Sequence, residues 1–212
     1  MNRYLQILVL TALINTFQIA VFTQIQDAGF KTQSFINEVV EKSFPELKKV
    51  EINVKTFKSD SNYFKSQFSF SRFLTFQKLH YTIFVNPEIY KKNAPEKAIR
   101  AILAHELAHI LYYIRKNRLE LLGLVSLSDQ SFTAKFERKA DLNAMARGYG
   151  EGLKEYRKWL YKNVPEKNLK AKKRDYFSPD EIELMLQILK KKPEMIDVWR
   201  KSVPRSLEEI SK

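Results

Sequence analysis

The sequence predicts an α+β fold: one helix, a short mixed or antiparallel sheet, and then helices to the end of the chain. Before residue 87, apolar residues alternate with polar ones in several short segments, which is the periodicity of β-strands. After residue 93, apolar residues recur at helical spacing, with prolines and glycines at the expected boundaries. Strands and helices therefore occupy separate stretches, which is typical of α+β and not of alternating α/β proteins.

The first half of the chain is predicted to contain the strands. Helical spacing predicts a helix over residues 34–47. Strands are predicted over 50–57, over one or two parts of the aromatic-rich segment 63–76, and over 79–86.

The second half is predicted to be helical. A helix is expected to begin near Asn93, which acts as its cap, with Pro95 in the first turn. The segment 119–132 is expected to form a packed loop or a short turn of helix. The further predicted helices run from Ser131 or Thr133 to the glycines at 148–152, over the amphipathic segment 153–161, and onward from a capping box at Ser178.

Composition restricts the classes of protein and of site. The 212 residues are 44% hydrophobic and 29% charged, as in a globular protein. The formal net charge of +13 suggests an anionic neighbour, either nucleic acid or a phospholipid surface. The absence of cysteine excludes disulfides, thiolate metal sites and cysteine nucleophiles.

The N-terminus resembles an export signal or a membrane anchor. Arg3 is followed by no charged residue until Asp27, and the intervening segment is mostly apolar. We therefore expect residues 1–26 to be a signal peptide or an anchor, with the rest of the chain outside the cytoplasm, in the periplasm if the source is bacterial. Residues 27–212 are expected to form a single domain, with its core at about 79–150 and a C-terminal helical part at about 151–212.

Two of the three histidines, His105 and His109, lie four residues apart with Glu106 between them. On a helix the two imidazoles point about 40° apart, so both can reach one ion. The surrounding residues are apolar on all sides, which predicts a buried helix. Because unpaired polar groups are costly to bury, the pattern favours a metal site, with zinc as the expected ion and His105 and His109 as ligands. His80 has no such partners and is interpreted as structural.

The third ligand is predicted on a later helix. Glu137, Ala140, Asp141, Ala144 and Gly148 fall on one stripe of that helix, and the small residues allow close packing. Carboxylates on such a face need a cation or a donor to meet. Glu137 is therefore the predicted third metal ligand, and Asp141 is expected to accept the spare ring N–H of a ligating histidine.

Together these motifs resemble those of the gluzincin metallopeptidases. The sequence H105-E-L-A-H109 followed by E137-R-K-A-D141 is similar to the superfamily of HtpX and the CAAX prenyl endopeptidases, and to the minigluzincins. The resemblance covers about residues 79–150 and implies a small zincin-like domain. It implies a zinc-dependent endopeptidase in which Glu106 is the general base for a metal-activated water. It also implies an edge strand at 79–86 that aligns the peptide substrate.

Three questions are left open by the sequence. The group that stabilises the oxyanion could be Tyr149, Tyr156 or Arg157, with Arg147 as a further candidate. The basic segment 154–174 could contact an anionic membrane surface, although such runs are usually solvated. Two other functions are alternatives to the peptidase. One is a nucleic-acid-associated protease of the SprT kind, although nucleic acid is a less favoured partner than an anionic membrane. The other is a catalytically silent, zinc-dependent peptide-binding domain.

Overall fold

The computed structural model describes residues 26–126 and 130–212. The first half holds a helix α1 and all three described strands. Its elements are α1 (26–43), a 3₁₀ turn (Pro45–Leu47), β1 (Ile52–Thr56), β2 (Phe64–Phe68), α2 (Phe70–Leu74), β3 (Tyr81–Val85) and α3 (Glu88–Lys91).

The second half is helical throughout the described residues. Its elements are α4 (Glu96–Arg115), α5 (Arg118–Ser126), α6 (Gln130–Ala146), α7 (Gly150–Asn163), α8 (Glu166–Asp175), α9 (Pro179–Lys191), α10 (Met195–Lys201) and α11 (Leu207–Ser211). The expected α+β class, with a small mixed sheet followed by C-terminal helices, is confirmed.

The sheet has the strand order β1-β3-β2. β3 pairs with β1 in parallel, with Ile52 opposite Tyr81, and with β2 antiparallel, with Phe68 opposite Tyr81. The segment 79–86 is therefore the central strand, and its interpretation as an edge strand is wrong. The strand order could not be predicted from the sequence, because all three strands are short and the central one is determined by long-range pairing.

Two helix starts show how capping differs between α4 and α9. Ser178 caps α9 in a full capping box with Glu181, as predicted. The predicted cap at Asn93 is wrong, because α4 begins only at Glu96 and Asn93 has a left-handed backbone (φ 51°) in the turn after α3. Asparagine adopts this conformation more readily than most residues, so turn formation takes precedence over capping here.

Two segments differ from the sequence expectation in their secondary structure. The aromatic-rich segment 63–76 forms one strand, β2, and then the short helix α2. The segment 119–132, expected to be a packed loop or a short turn, contains most of the nine-residue helix α5 and the start of α6. Both segments are rich in large apolar residues, so local composition did not distinguish strand, loop and buried helix.

Helix α4 forms the centre of the core. Fourteen of its 20 residues are buried, including every residue from 101 to 111. It packs against β2, α6 and α7. At the α7 contact, a Cβ added to Gly152 would lie 2.6 Å from the carbonyl oxygen of Lys97 and 2.7 Å from the Cβ of Ala101. Only glycine therefore allows α7 to lie this close to α4.

The N-terminal prediction falls mostly outside this description. Residues 1–25 of the expected signal or anchor 1–26 lie outside the described residues. Within the described part of the chain, none of the helices combines the length and apolar character needed to cross a bilayer.

Candidate metal centre

The candidate metal centre lies between α4 and α6. His105 and His109 are one turn apart on α4, on the side that packs against α6. Ala140 and Ala144 of α6 are buried, so the two helix backbones approach closely on the stripe that the sequence identified. One turn before Ala140–Asp141, α6 presents Glu137 toward the two imidazoles.

Three ligand atoms meet at this point. The Nε2 atoms of His105 and His109 are 3.0 Å apart, and Oε2 of Glu137 is 3.0 Å from the first and 3.1 Å from the second. A tetrahedral zinc ion with ligands at about 2.0–2.2 Å separates its ligand atoms by about 3.3 Å. The three atoms therefore form a nearly regular triangle whose edges are close to those of one face of such a site. This group could hold a metal ion.

Burial of the three groups leaves one side accessible. His105 and His109 are buried, whereas the side chain of Glu137 is 20% exposed. Glu137 is thus the most exposed of the three residues, and a metal held by three protein atoms would keep a further coordination position for water or substrate.

The chemistry of the triangle favours a cation at its centre. The Nδ1–H of His105 donates to Oδ1 of Asp141 at 2.7 Å, so the Nε2 of a neutral His105 carries only a lone pair. That lone pair faces the His109 nitrogen and the carboxylate of Glu137. Burial lowers the pKa of His105, but the charges of Asp141 and Glu137 outweigh burial and raise it to about 10. Either a bound proton or a metal ion can therefore satisfy the cluster.

Asp141 connects His105 to α7. It is fully buried, and its Oδ1 accepts from His105 at 2.7 Å and from Arg157 at 2.8 Å. Burial raises the pKa of Asp141, but Arg157 and His105 more than compensate, so the pKa is lowered and the group stays ionised. Asp141 therefore fixes the tautomer and the ring orientation of His105.

Arg157 is the second buried charge of this network. Its side chain is 1% exposed, and its guanidinium bonds both oxygens of Asp141. The guanidinium also lies 4.4 Å from the ring centre of Tyr176. Arg157 was predicted as one candidate for oxyanion stabilisation; the structure brings it to Asp141, where it holds the residue that orients His105.

The other predicted candidates lie at different places. The Tyr149 hydroxyl is 3.1 Å from Oγ of Ser43, at the start of α7. Tyr156 is buried, and its ring stacks on Trp159. Arg147 contacts Glu46 and the backbone of Ser43 on the α1 side. The predicted oxyanion role of these residues stays a prediction.

Glu106 lies on α4 directly after His105. It is 6% exposed, so its carboxylate is held in a largely dehydrated setting. Burial raises the pKa of Tyr113 and of Tyr156, and the negative charge of Glu106 raises both further. Glu106 is adjacent in sequence to the candidate ligand His105 and is not one of the three residues whose ligand atoms meet.

Sequence reasoning missed three residues around the centre. Phe136 stacks on the His109 ring at 4.5 Å, and Tyr176 lies 5.9 Å from the His105 ring. The amine of Lys172 lies 5.3 Å from the ring of Tyr176 and contacts Asn62. Phe136 could have been found, since it directly precedes Glu137. Tyr176 had no sequence signal, because the turn after α8 alone brings it back to α4.

Several cations of the basic segment 154–174 are buried or paired with acidic side chains within the fold. Arg157 is buried, Lys154 pairs with Glu151 and Glu183, and Arg174 pairs with Asp175. The remaining lysines of α8 are mostly exposed. The proposed contact with an anionic surface therefore depends on these lysines.

Comparisons of the chain with known protein families, with curated proteins and with solved structures give no match.

Proposed function

We propose that the protein is a zinc-dependent metalloendopeptidase of the gluzincin type, with a zincin-like domain. The observation that carries the proposal is the triangle of Nε2 atoms of His105 and His109 with Oε2 of Glu137, with edges of 3.0–3.1 Å. Two imidazoles and one carboxylate are a ligand set that suits zinc and leaves a position open.

The metal would be held by His105, His109 and Glu137. Zinc, when bound there, would lower the pKa of a water molecule toward neutrality and polarise the scissile carbonyl. Asp141 and Arg157 keep the imidazole of His105 in the tautomer that presents a bare Nε2. The protein thereby fixes the direction of the His105 ligand atom before substrate binds.

Glu106 is proposed as the general base. It is a buried residue of α4 next to His105, and we propose that its carboxylate accepts the proton of the attacking water. The same carboxyl group can then deliver that proton to the nitrogen of the leaving amine. The dehydrated setting strengthens both interactions, since few water molecules compete for the carboxylate oxygens.

Peptide alignment is proposed to use β2. Asn86 N–H donates to Tyr63 O and Ser69 N–H donates to His80 O, both at 2.8 Å. Because hydrogen-bonded pairs alternate along an antiparallel ladder, the backbone groups of residues 64, 66 and 68 point away from β3. In the described chain this side of β2 has no strand neighbour, and β2 packs on α4. An extended peptide could therefore add to this edge.

Tyr176 is the strongest added candidate for contact with the oxyanion. Burial raises its pKa well above the ordinary value, and the negative charge of Glu137 raises it further. The phenol therefore remains protonated and can donate a hydrogen bond at neutral pH. Its ring lies beside His105 and is only partly buried.

We propose a location outside the cytoplasm on a separate basis. It depends on the uncharged segment between Arg3 and Asp27, which suits an export signal or an anchor. The proposed chemistry does not require this location, so fractionation of cells tests it independently.

The function is tested by comparing Glu106→Gln with the wild type. Both are assayed on a pool of quenched fluorescent peptides, and zinc is measured in the same preparations. We expect Glu106→Gln to lose hydrolysis by about 10²-fold or more, the usual contribution of a general base, while zinc content is unchanged.

Glu88→Gln, which removes a carboxylate from an exposed pair with Lys91, is the matched control and should keep full activity. Full hydrolysis by Glu106→Gln would refute the proposed mechanism. Hydrolysis by the wild type that resists a zinc chelator would refute the metal's role.

A further inference from the structure

Large apolar side chains are unusually exposed in one part of the molecule. Nine such side chains are exposed among the described residues, and six of them lie within 70–76 and 114–122. Phe76 and Leu119 are each 82% exposed. We define the apolar patch as the exposed side chains of α2, the following turn and α5: Phe70, Leu74, Phe76, Leu119 and Leu122.

Arg118 holds the two segments of the patch together. Its guanidinium donates to the backbone carbonyls of Arg72, Phe73 and Gln77, and lies over the rings of Phe73 and Phe76. The first turn of α5, which carries Leu119, therefore lies against α2. The apolar side chains of both segments thus belong to one joined surface.

The conformation and the exposure of Phe76 are both unfavourable for the stability of the fold. Its backbone is left-handed, with φ 56°, a conformation that a bulky residue rarely adopts. The side chain gains no burial in return, since it is exposed to solvent. Exposed apolar groups in an unfavourable backbone geometry are not explained by folding, and they mark a surface that becomes covered.

A positively charged cavity opens beside the patch. It has a volume of about 530 Å³, and its lining combines apolar side chains such as Leu79 and Leu121 with four cations and one acid: Lys49, Lys78, Lys116, Arg118 and Glu51. Lys49 and Lys78 have no acidic group within ion-pair distance in the described chain, and Arg118 bonds only neutral carbonyls. These three cations therefore remain available to an anion, whereas Lys116 is paired with Glu120.

We propose that the apolar patch and this cavity form a docking surface for an anionic phospholipid membrane. Phe76, Leu119 and their neighbours would enter the boundary between head groups and acyl chains. Lys49, Lys78 and Arg118 would meet the phosphate groups, which balance several cations at once. The combination of exposed apolar residues with unpaired cations on one surface favours a membrane over a protein partner.

This surface is distinct from the basic segment 154–174. The exposed cations of α8 have no comparable apolar neighbours among the large exposed residues, which are absent from α7 and α8. Insertion at α2 and α5 is also independent of the proposed hydrolase, because none of its residues belongs to the metal centre.

The proposal is tested on the full chain with a fluorescent label at single positions. Since the chain contains no cysteine, Leu119→Cys carries one polarity-sensitive label, and Lys170→Cys on α8 is the matched control. Each is mixed with vesicles of equal parts phosphatidylcholine and phosphatidylglycerol, and with phosphatidylcholine alone. We expect a blue shift at residue 119 with the mixed vesicles, a weaker one with phosphatidylcholine alone, and none at residue 170.

Because each label reports only on the surroundings of its own residue, the experiment distinguishes membrane binding by this surface from membrane binding by other parts of the chain. Sedimentation with vesicles but no shift at residue 119 overturns the proposal, as does a shift only at residue 170. No sedimentation at all also overturns it. A shift at residue 119 that appears without vesicles and grows with protein concentration indicates self-association and equally overturns it.

A second measurement uses unlabelled variants. Phe76→Ser combined with Leu119→Ser should weaken binding to the mixed vesicles by about tenfold or more, since two large apolar groups no longer enter the membrane. Val198→Ser, an exposed valine on α10, is the control and should bind as the wild type does. Equal loss in the control variant, or no loss in the double variant, contradicts the proposal.

Discussion

The candidate metal centre and the apolar patch both depart from the usual rule that apolar side chains are buried and polar ones exposed, but they do so in opposite ways. At the centre, His105, Asp141 and Arg157 place polar and charged groups almost completely out of water. At the patch, Phe76 and Leu119 place large apolar groups in water. Both arrangements cost stability, the first through desolvation and the second through lost burial.

The two regions differ in how this cost is offset. In the centre, Asp141 meets both His105 and Arg157 within the fold, and the three ligand atoms converge on one point. In the patch, Phe76 and Leu119 each remain 82% exposed, although the Arg118 guanidinium lies over the ring of Phe76. The buried charges of the first region are thus satisfied by its own side chains, which could also hold an ion, whereas the large apolar groups of the second region remain exposed.

The largest expected effect comes from removing the buried anion. Asp141→Ala leaves Arg157 buried without its partner, which typically costs about 3–5 kcal/mol of unfolding free energy. Urea unfolding of both metal-free proteins, followed by circular dichroism, measures this difference. Asp197→Ala, which removes an exposed pair with Arg200, should cost no more than about 1 kcal/mol. Equal losses in the two variants would show that the buried network contributes no more to the free energy of unfolding than an exposed ion pair does.

A smaller effect is expected at the contact that positions α7. Gly152→Ala would place a methyl group against the backbone of Lys97 and the side chain of Ala101, so α7 must move from α4. We expect a loss of about 1–3 kcal/mol by thermal or urea unfolding, together with weaker metal binding because Arg157 shifts. Gly29→Ala on α1 has free space around the added methyl group and should be neutral or stabilising. A stable Gly152→Ala would contradict the close packing.

A substitution in the apolar patch is expected to raise the free energy of unfolding, whereas those in and around the candidate metal centre lower it. Phe76→Gly removes an exposed ring and relieves the left-handed backbone, so unfolding free energy should rise by about 0.5–1 kcal/mol. The same variant should bind anionic vesicles less well. A variant that loses stability would indicate that Phe76 is packed in the folded protein, and the contrast with the centre would fail.

The smallest effect is expected at an ordinary surface pair that belongs to neither region. The hydrogen bond from Arg147 lowers the pKa of Glu46, although partial burial acts in the other direction. A lowered pKa stabilises the fold above the unfolded pKa of Glu46, and the contribution disappears as pH falls through the folded pKa.

Glu46→Gln should therefore cost about 0.5 kcal/mol at neutral pH, because water screens this half-exposed pair. Unfolding measured across acidic pH should show the variant and the wild type converge. A constant difference at all pH values would mean that the ionisation of Glu46 is not the cause.

The helices of the metal centre could be predicted from sequence because local patterns determine them. The spacing of His105 and His109 requires only helical periodicity, and the small residues of α6 mark the face that approaches α4. The positions of Glu137 and Asp141 follow from the same periodicity. These residues are indeed brought together, although their chemical roles remain proposals.

Other features depend on contacts between distant segments. The central position of β3 and the free edge of β2 follow from strand pairing across the chain. Tyr176 reaches His105 only through the turn between α8 and α9. Large apolar residues are usually buried, so the segment that contains α5 was expected to be packed, and the exposure of Leu119 and Leu122 could not be predicted from composition.

The proposed zinc site is tested most directly by the metal content of the purified full chain, measured by mass spectrometry for the wild type, Glu106→Gln and His109→Ala. We expect about one zinc ion per chain in the wild type and in Glu106→Gln, and almost none in His109→Ala, because a tetrahedral site does not survive loss of one of its three protein ligands. Zinc retained at full level in His109→Ala, or a wild type that takes up no zinc when it is supplied, would contradict the account.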